Sequence, residues 1–180
     1  MLVLDGKIIN CYKDENSKSG YVVTATSNGV TKPCWINCKS NQEKYWRVYL
    51  GNSCDAKYNR VSFYYLHKII FATQMGWDRL DIAPDCHIHH LNHSPEIKNN
   101  PALYNDITNL IYLPSKEHAQ IHALEKRAKF LTEKPYETME ERQNNVLSSI
   151  RCEQKISAII NKYVAIRDNT RKKFLEGQKA

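Results

Sequence analysis

The chain has 180 residues, a length that suits one domain or two small ones and excludes a large multidomain protein. Hydrophobic residues make up 42% and charged residues 25% of it, as in globular proteins, and no stretch of about 18 apolar residues could span a bilayer. The net charge of +7 favours a polyanionic partner, usually a nucleic acid, and no membrane partner is expected. Since a charge appears as early as Asp5, too soon for a secretory signal, we expect an intracellular, cytoplasmic protein.

The first 80 residues alternate between strand-like segments and turns. Runs of β-branched and aromatic residues predict the strands, and the dipeptide Asn28-Gly29 is typical of a hairpin turn. The predicted strands cover residues 21–26, 45–50 and 61–66. A short amphipathic helix is predicted over residues 67–75 and is expected to end at Gly76. This region therefore predicts an antiparallel sheet with one helix.

The middle of the chain has the order strand, loop, strand, helix. The strands are predicted over residues 86–91 and 107–113, and the polar segment 92–106 between them is rich in turn formers and predicts a loop. A helix is expected to begin at Ser115 and to end before Pro135, because apolar residues recur there at helical spacing.

The last 45 residues predict one long helix over residues 136–180. Apolar side chains recur at helical spacing and form a stripe along it. The stripe consists of Val146, Ile150, Ile156, Ile160, Tyr163 and Val164. Together with the preceding regions, this pattern predicts an α+β fold.

Charge divides the chain into three regions. Residues 1–80 carry 11 basic and 6 acidic groups, residues 81–135 carry 6 and 7, and residues 136–180 carry 9 and 6. Two basic flanks therefore enclose a nearly neutral middle, as expected if the flanks bind phosphates and the middle performs chemistry. We expect a basic β-rich docking region, a central catalytic region and a basic C-terminal helical region with these bounds.

Six of the seven histidines fall within 36 consecutive positions, which indicates a functional site rather than scattered core residues. They are His87, His89, His90, His93, His118 and His122. His118 and His122 lie four residues apart on the predicted helix, so their side chains share one face and can bind one divalent metal ion. A third ligand from the preceding strand would leave open coordination positions, as in catalytic metal sites.

The series His89-His90, Asn109, His118 and His122 resembles the HNH nuclease motif, a ββα-metal hairpin followed by a helix. The pair Asn99-Asn100 and the upstream run 45–76 are similar to phage-encoded and intron-encoded HNH homing endonucleases. The resemblance implies a metal-dependent DNA endonuclease that hydrolyses phosphodiester bonds, with double-stranded DNA as partner. It also implies a protein that acts inside the cell, such as a host cell infected by the phage.

The resemblance assigns a role to each matched residue. His90 resembles the general base that takes a proton from water, and Asn109 resembles the asparagine that fixes this base across the hairpin loop. His89 and His118 resemble metal ligands, with His122 as the third. The expected cofactor is a divalent ion, Mg²⁺, Mn²⁺ or Zn²⁺, and a set of three histidines favours the softer ions over Mg²⁺.

The other histidines fall outside the motif. We expect His87 and His93 to be structural or to contact phosphate, and His67 to be buried and hydrogen-bonded. Because neighbouring side chains on a regular strand point to opposite faces, His89 and His90 are not expected to face the helix together.

Several alternatives stay open at this point. The chain could be a restriction, defence or toxin nuclease, or a non-catalytic basic DNA-binding module; it could nick or cut both strands, as a monomer or a homodimer. The six cysteines are expected to be reduced. Four of them could form a structural zinc site, with free thiols as the alternative. These four are Cys34, Cys38, Cys54 and Cys86.

Overall fold

The computed structural model describes residues 1–38, 45–50, 63–80 and 82–178, and it confirms the α+β class. The chain forms two compact units, each assembled from separate segments. The first, here called the β-rich unit, comprises Met1–Ile82, His90–Leu110 and Thr170–Ala180. The second, here called the helical unit, comprises Ala83–His89 and Ile111–Asn169.

The β-rich unit begins with a four-stranded antiparallel sheet. Its strands, in spatial as well as chain order, are β1 (Leu2–Leu4), β2 (Lys7–Lys13), β3 (Tyr21–Ser27) and β4 (Val30–Pro33). Along β3, Tyr21, Val23 and Ala25 are buried and alternate with more exposed residues, as expected for a sheet with one covered face. Asn28 and Gly29 both have positive φ, which confirms the predicted hairpin.

A second antiparallel sheet of three strands precedes the first helix. Its strands are β5 (Trp35–Asn37), β6 (Arg47–Tyr49) and β7 (Phe63–Tyr65), and α1 (Leu66–Gln74) follows directly. Both predicted strands of this part occur, although residues 61 and 62 of the second lie outside the described residues. Gly76 has φ 72° just beyond α1, so the predicted helix end is confirmed.

The segment predicted as a polar loop contains two short helices, so that prediction was wrong. After β8 (Cys86–His90) come α2 (Pro95–Lys98) and α3 (Pro101–Tyr104). Each begins with a proline and is preceded by a capping residue, Ser94 or Asn100, whose side chain accepts backbone N–H groups. A turn of 3₁₀ helix at Ile107–Asn109 delays β9 (Leu110–Pro114), which therefore begins three residues later than predicted.

The helical unit contains the paired strands β8 and β9 without their end residues His90 and Leu110, together with α4 (Ser115–Glu133) and the greater part of α5 (Met139–Gly177). The Tyr163 hydroxyl on α5 donates a hydrogen bond of 3.2 Å to Glu117 on α4. The predicted stripe of α5 is only partly covered, since Tyr163 is buried whereas Val146 and Ile150 are exposed. Within the described part of the chain, no helix is both long enough and apolar enough to cross a membrane.

Candidate metal centre

Strand β8 and helix α4 bring together three of the predicted metal ligands. One side-chain nitrogen from each of His89, His118 and His122 lies within 4.8 Å of the other two. His89 is buried, while the other two rings are half-buried. All three belong to the helical unit, so the cluster is formed within one compact part of the chain.

The local geometry of one strand and one helix explains this cluster. On α4, a step of four residues places His118 and His122 on the same face, with their Nε2 atoms 3.3 Å apart. The His89 ring centroid lies 5.2 Å from each of theirs. The four-residue spacing therefore correctly predicted that His118 and His122 lie side by side, and β8 supplies the third ring, that of His89.

The donor set fits a divalent ion. Two metal–nitrogen bonds of about 2.0–2.1 Å at a tetrahedral angle place their nitrogens about 3.4 Å apart, close to the separation of His118 and His122. Burial, the neighbouring His122 and the nearby His87 lower the pKa of His118, which favours the neutral imidazole that binds metals. His122 Nδ1 lies 2.8 Å from a Glu125 carboxylate oxygen, a contact that orients its Nε2 toward the cluster.

His87, which was expected to be structural or to contact phosphate, makes a structural contact with one of the three clustered histidines. Its ring stacks on that of His118, with centroids 4.7 Å apart and planes 27° apart. Because His87 and His89 are two positions apart on β8, they share a face of the strand, and this alternation was the available signal. His87 thus limits the orientations open to the His118 ring.

His90, the expected general base, belongs to the β-rich unit and is surrounded by other rings there. It is 2% exposed, and its ring stacks on Tyr104 with centroids 4.0 Å apart and planes 7° apart. Burial lowers the His90 pKa to about 4, although a hydrogen bond with Asn105 acts in the opposite direction. His89 and His90 therefore contact different sets of residues, as expected for neighbours on a strand.

Asn109 closes the loop that follows β8. Its side-chain oxygen accepts the Asn92 N–H at 2.8 Å, and its side-chain nitrogen donates to the carbonyls of Asn92 and Tyr104 at 3.3 and 2.9 Å. Because Tyr104 stacks on His90, these bonds hold the ring that fixes the position of His90. The predicted cross-loop position of Asn109 corresponds to this geometry.

Two further histidine rings, His93 and His67, lie near His90. The Tyr104 hydroxyl lies 3.1 Å from His93 Nδ1, which gives His93 a structural contact. His67 is buried as expected, but its Nδ1 has no hydrogen-bond partner among the described residues, so the prediction of that bond is not met at this atom. Nothing in the sequence singled out Tyr104, which lies 14 positions from His90 in a segment taken for a loop.

The cysteines do not form a comparable cluster in the described part of the chain, where the three histidines are the group suited to a metal ion. Cys34 and Cys38 are half-buried, and Cys54 lies outside the described residues. Burial raises the pKa of Cys34, and it raises that of Cys11 to about 12, which keeps both thiols protonated.

The chain matches no protein-family model, no curated protein and no solved structure. Inference about function therefore depends on the chemistry of this chain's own residues. Three imidazoles that converge from a strand and a helix can bind a divalent ion and leave positions for water and substrate.

Proposed function

We propose that the protein is a metal-dependent endonuclease of the HNH type that hydrolyses phosphodiester bonds in double-stranded DNA, most like a homing endonuclease. The observation that supports this proposal is the convergence of His89, His118 and His122. A structural zinc site usually has four protein ligands, whereas three ligands leave room for water and substrate. The same set of histidines follows the order of the HNH motif along the chain.

In the proposed mechanism, His89, His118 and His122 hold a divalent ion, with Zn²⁺ or Mn²⁺ favoured over Mg²⁺ by the imidazole ligands. When bound, the ion would supply positive charge that stabilises the phosphate oxygens during hydrolysis. The chain's own contribution is to fix the three rings, of which His122 is oriented by Glu125 and His118 by His87.

His90 is the proposed base, and Nε2 is the atom that takes the proton from water. This atom is buried and has no hydrogen-bond partner among the described residues, so it is free to accept. Because the ring is 2% exposed and Tyr104 holds it in place, the other tyrosine ring against it, Tyr45, has to move when DNA binds. Asn109 and Tyr104 are positioning residues in this scheme.

A plasmid nicking assay tests the proposal. The chelator-treated chain is mixed with supercoiled plasmid and Mg²⁺, Mn²⁺ or Zn²⁺, and nicked product is measured with time. We expect nicking by the native chain and a roughly hundredfold or larger loss in His90→Ala, since general base catalysis contributes about 10²–10⁴. His118→Ala is expected to lose metal-dependent nicking altogether.

The matched control is Gln120→Ala, which removes an exposed side chain from the same helix without touching the three histidines. It should nick at the native rate. Equal rates for native protein and His90→Ala would refute the base role, and equal rates for His118→Ala would refute the metal role. Cleavage at one long site among unrelated DNAs would distinguish homing from a restriction, defence or toxin nuclease.

A further inference from the structure

The three-stranded sheet carries a row of aromatic rings across its strands. In the register of the sheet, Trp35 pairs with Tyr49 and Tyr49 pairs with Phe63, so these three side chains share one face. The ring centroids are 4.8 Å apart for Trp35 and Tyr49 and 6.1 Å apart for Tyr49 and Phe63. Tyr65, two positions after Phe63, lies on the same face, with its ring 5.5 Å away. These four rings are here called the aromatic face.

The outer rings of the aromatic face are open to solvent. Trp35 is 63% exposed and Phe63 is 36% exposed, while Tyr49 between them is nearly covered. Rings of this size are normally buried, because they remove 150–250 Å² each from water. Exposed apolar surface that is grouped in this way indicates a binding surface.

The charged groups placed over these rings are cationic. The Arg47 guanidinium lies 4.4 Å from the centroid of the Phe63 ring, and Lys68 Nζ lies 5.6 Å from that of Tyr65. Arg47 pairs with Asn37 and Tyr65 in the register, so it belongs to the same face as the rings. Exposed aromatic rings beside cations match the chemistry of nucleic-acid bases and their phosphates.

The rings continue from the aromatic face to His90 within the β-rich unit. The Tyr45 ring lies 5.9 Å from that of Tyr65 and 5.8 Å from that of His90. Tyr45 is also 39% exposed. A strand that follows the rings from Trp35 would therefore arrive beside the residue proposed as base.

We propose that the aromatic face binds unpaired nucleotides of a single DNA strand, whose bases stack on Trp35 and Phe63 while Arg47 and Lys68 contact its phosphates. Bases in a duplex are already stacked on one another and offer no free ring surface, whereas unpaired bases do. The choice of DNA as the ligand rests on the proposed function. What is new is that this face prefers an unpaired strand.

The test is binding of a fluorescein-labelled 12-nucleotide oligothymidylate to the full chain, followed by fluorescence anisotropy in EDTA, where no cleavage occurs. We expect Trp35→Ala to weaken binding roughly tenfold to a hundredfold, as for the loss of one base stack. Trp35→Phe keeps an aromatic ring, so its affinity should stay within about threefold of the native value. Trp35→Leu should lose as much affinity as Trp35→Ala, because base stacking needs the π-face of an aromatic ring. Binding of the corresponding 12-base-pair duplex should be the same in all four proteins.

The matched control is Tyr12→Ala, which removes an exposed ring from β2 in the other sheet of the unit. It should bind the oligonucleotide like the native chain. Native affinity in both Trp35→Leu and Trp35→Ala would overturn the proposal, as would an equal loss of duplex binding in these variants. If Trp35→Ala fails to fold, the pair Trp35→Phe and Trp35→Leu still decides the outcome. If the native chain binds the oligonucleotide but does not nick plasmid in the metal-containing assay, the proposed function is refuted and this inference still holds.

Discussion

At the residue scale, the buried histidines of the β-rich unit are the least usual feature. His67 and His90 have ring centroids 5.3 Å apart, and both are enclosed by tyrosine rings. Burial, with smaller contributions from His90 and Lys68, lowers the His67 pKa from 6.5 to about 3. The folded protein therefore keeps His67 neutral at pH values where the unfolded chain would protonate it.

This difference predicts a loss of stability in mild acid. Between pH 6.5 and pH 3 the unfolded chain binds a proton at His67 that the folded chain does not, so the free energy of unfolding falls as the pH falls. From pH 7 to pH 5 the loss from this group should be about 2 kcal/mol. Urea denaturation of native protein and His67→Phe at both pH values, in EDTA, measures it. Between pH 7 and pH 5, the free energy of unfolding of His67→Phe should fall by about 2 kcal/mol less than that of the native protein. An equal fall in both proteins would show that His67 is not the source of the acid sensitivity.

At the element scale, the end of α1 depends on a residue near the end of α5. Gly76 has φ 72°, a conformation that L side chains rarely adopt, and a Cβ placed on it would lie 2.2 Å from the Phe174 ring. Arg171 also donates a hydrogen bond of 3.2 Å to the Gln74 side chain. Two successive turns of α5 thus pack on the last turn of α1 and its glycine, all within the β-rich unit.

Comparison of two glycine substitutions separates backbone strain from packing. Gly29 has φ 75° and open space around it, so Gly29→Ala should cost only the strain of the left-handed conformation, about 1–2 kcal/mol. Gly76→Ala adds displacement of the Phe174 ring, which should raise the cost by about another 1–3 kcal/mol. Urea denaturation of both variants gives the two values. If Gly76→Ala lowers the free energy of unfolding no more than Gly29→Ala does, the Phe174 ring moves aside without an energetic penalty.

At the scale of the whole molecule, a bound ion would stabilise the fold. The three histidines converge only in the folded helical unit, so an ion that binds them favours the folded state. At an ion concentration of 100 times Kd the gain is about 2.7 kcal/mol, which corresponds to a rise in Tm of about 5–10 °C for a chain of this length.

Thermal denaturation of the chelator-treated chain with and without Zn²⁺ measures this rise. His122→Ala should abolish most of it, and Gln120→Ala should preserve it. An unchanged Tm in the native protein under saturating Zn²⁺ would exclude the metal site. A normal rise without nicking would instead support the non-catalytic DNA-binding module.

Local patterns predicted the elements that depend on local chemistry. Spacing of apolar residues predicted α4 and α5, and the step from His118 to His122 predicted two neighbouring ligands because helix geometry alone sets it. The segment 92–106 was mistaken for loop because its two helices are only four residues long each, too short for any periodicity. Their signal was instead the pairing of a capping residue with a proline, Ser94-Pro95 and Asn100-Pro101.

Contacts between distant parts of the chain had no local signal. The stack of Tyr104 on His90 depends on how α3 folds back, and no spacing rule relates the two positions. The open aromatic face is a similar case, since the register that aligns Trp35, Tyr49 and Phe63 is set by strand pairing across segments of different length. The first two strands, β1 and β2, also escaped prediction, because they become recognisable only through the strands with which they pair.

The packing of Phe174 on Gly76 affects when the β-rich unit can complete its folding during synthesis. A ribosome adds about 5–20 residues per second, so the 98 residues added after Gly76, up to and including Phe174, take roughly 5–20 s to synthesise. During that interval the end of α1 has emerged without the helix that covers it. The β-rich unit therefore reaches its final packing only after the strands and helices of the helical unit have been synthesised.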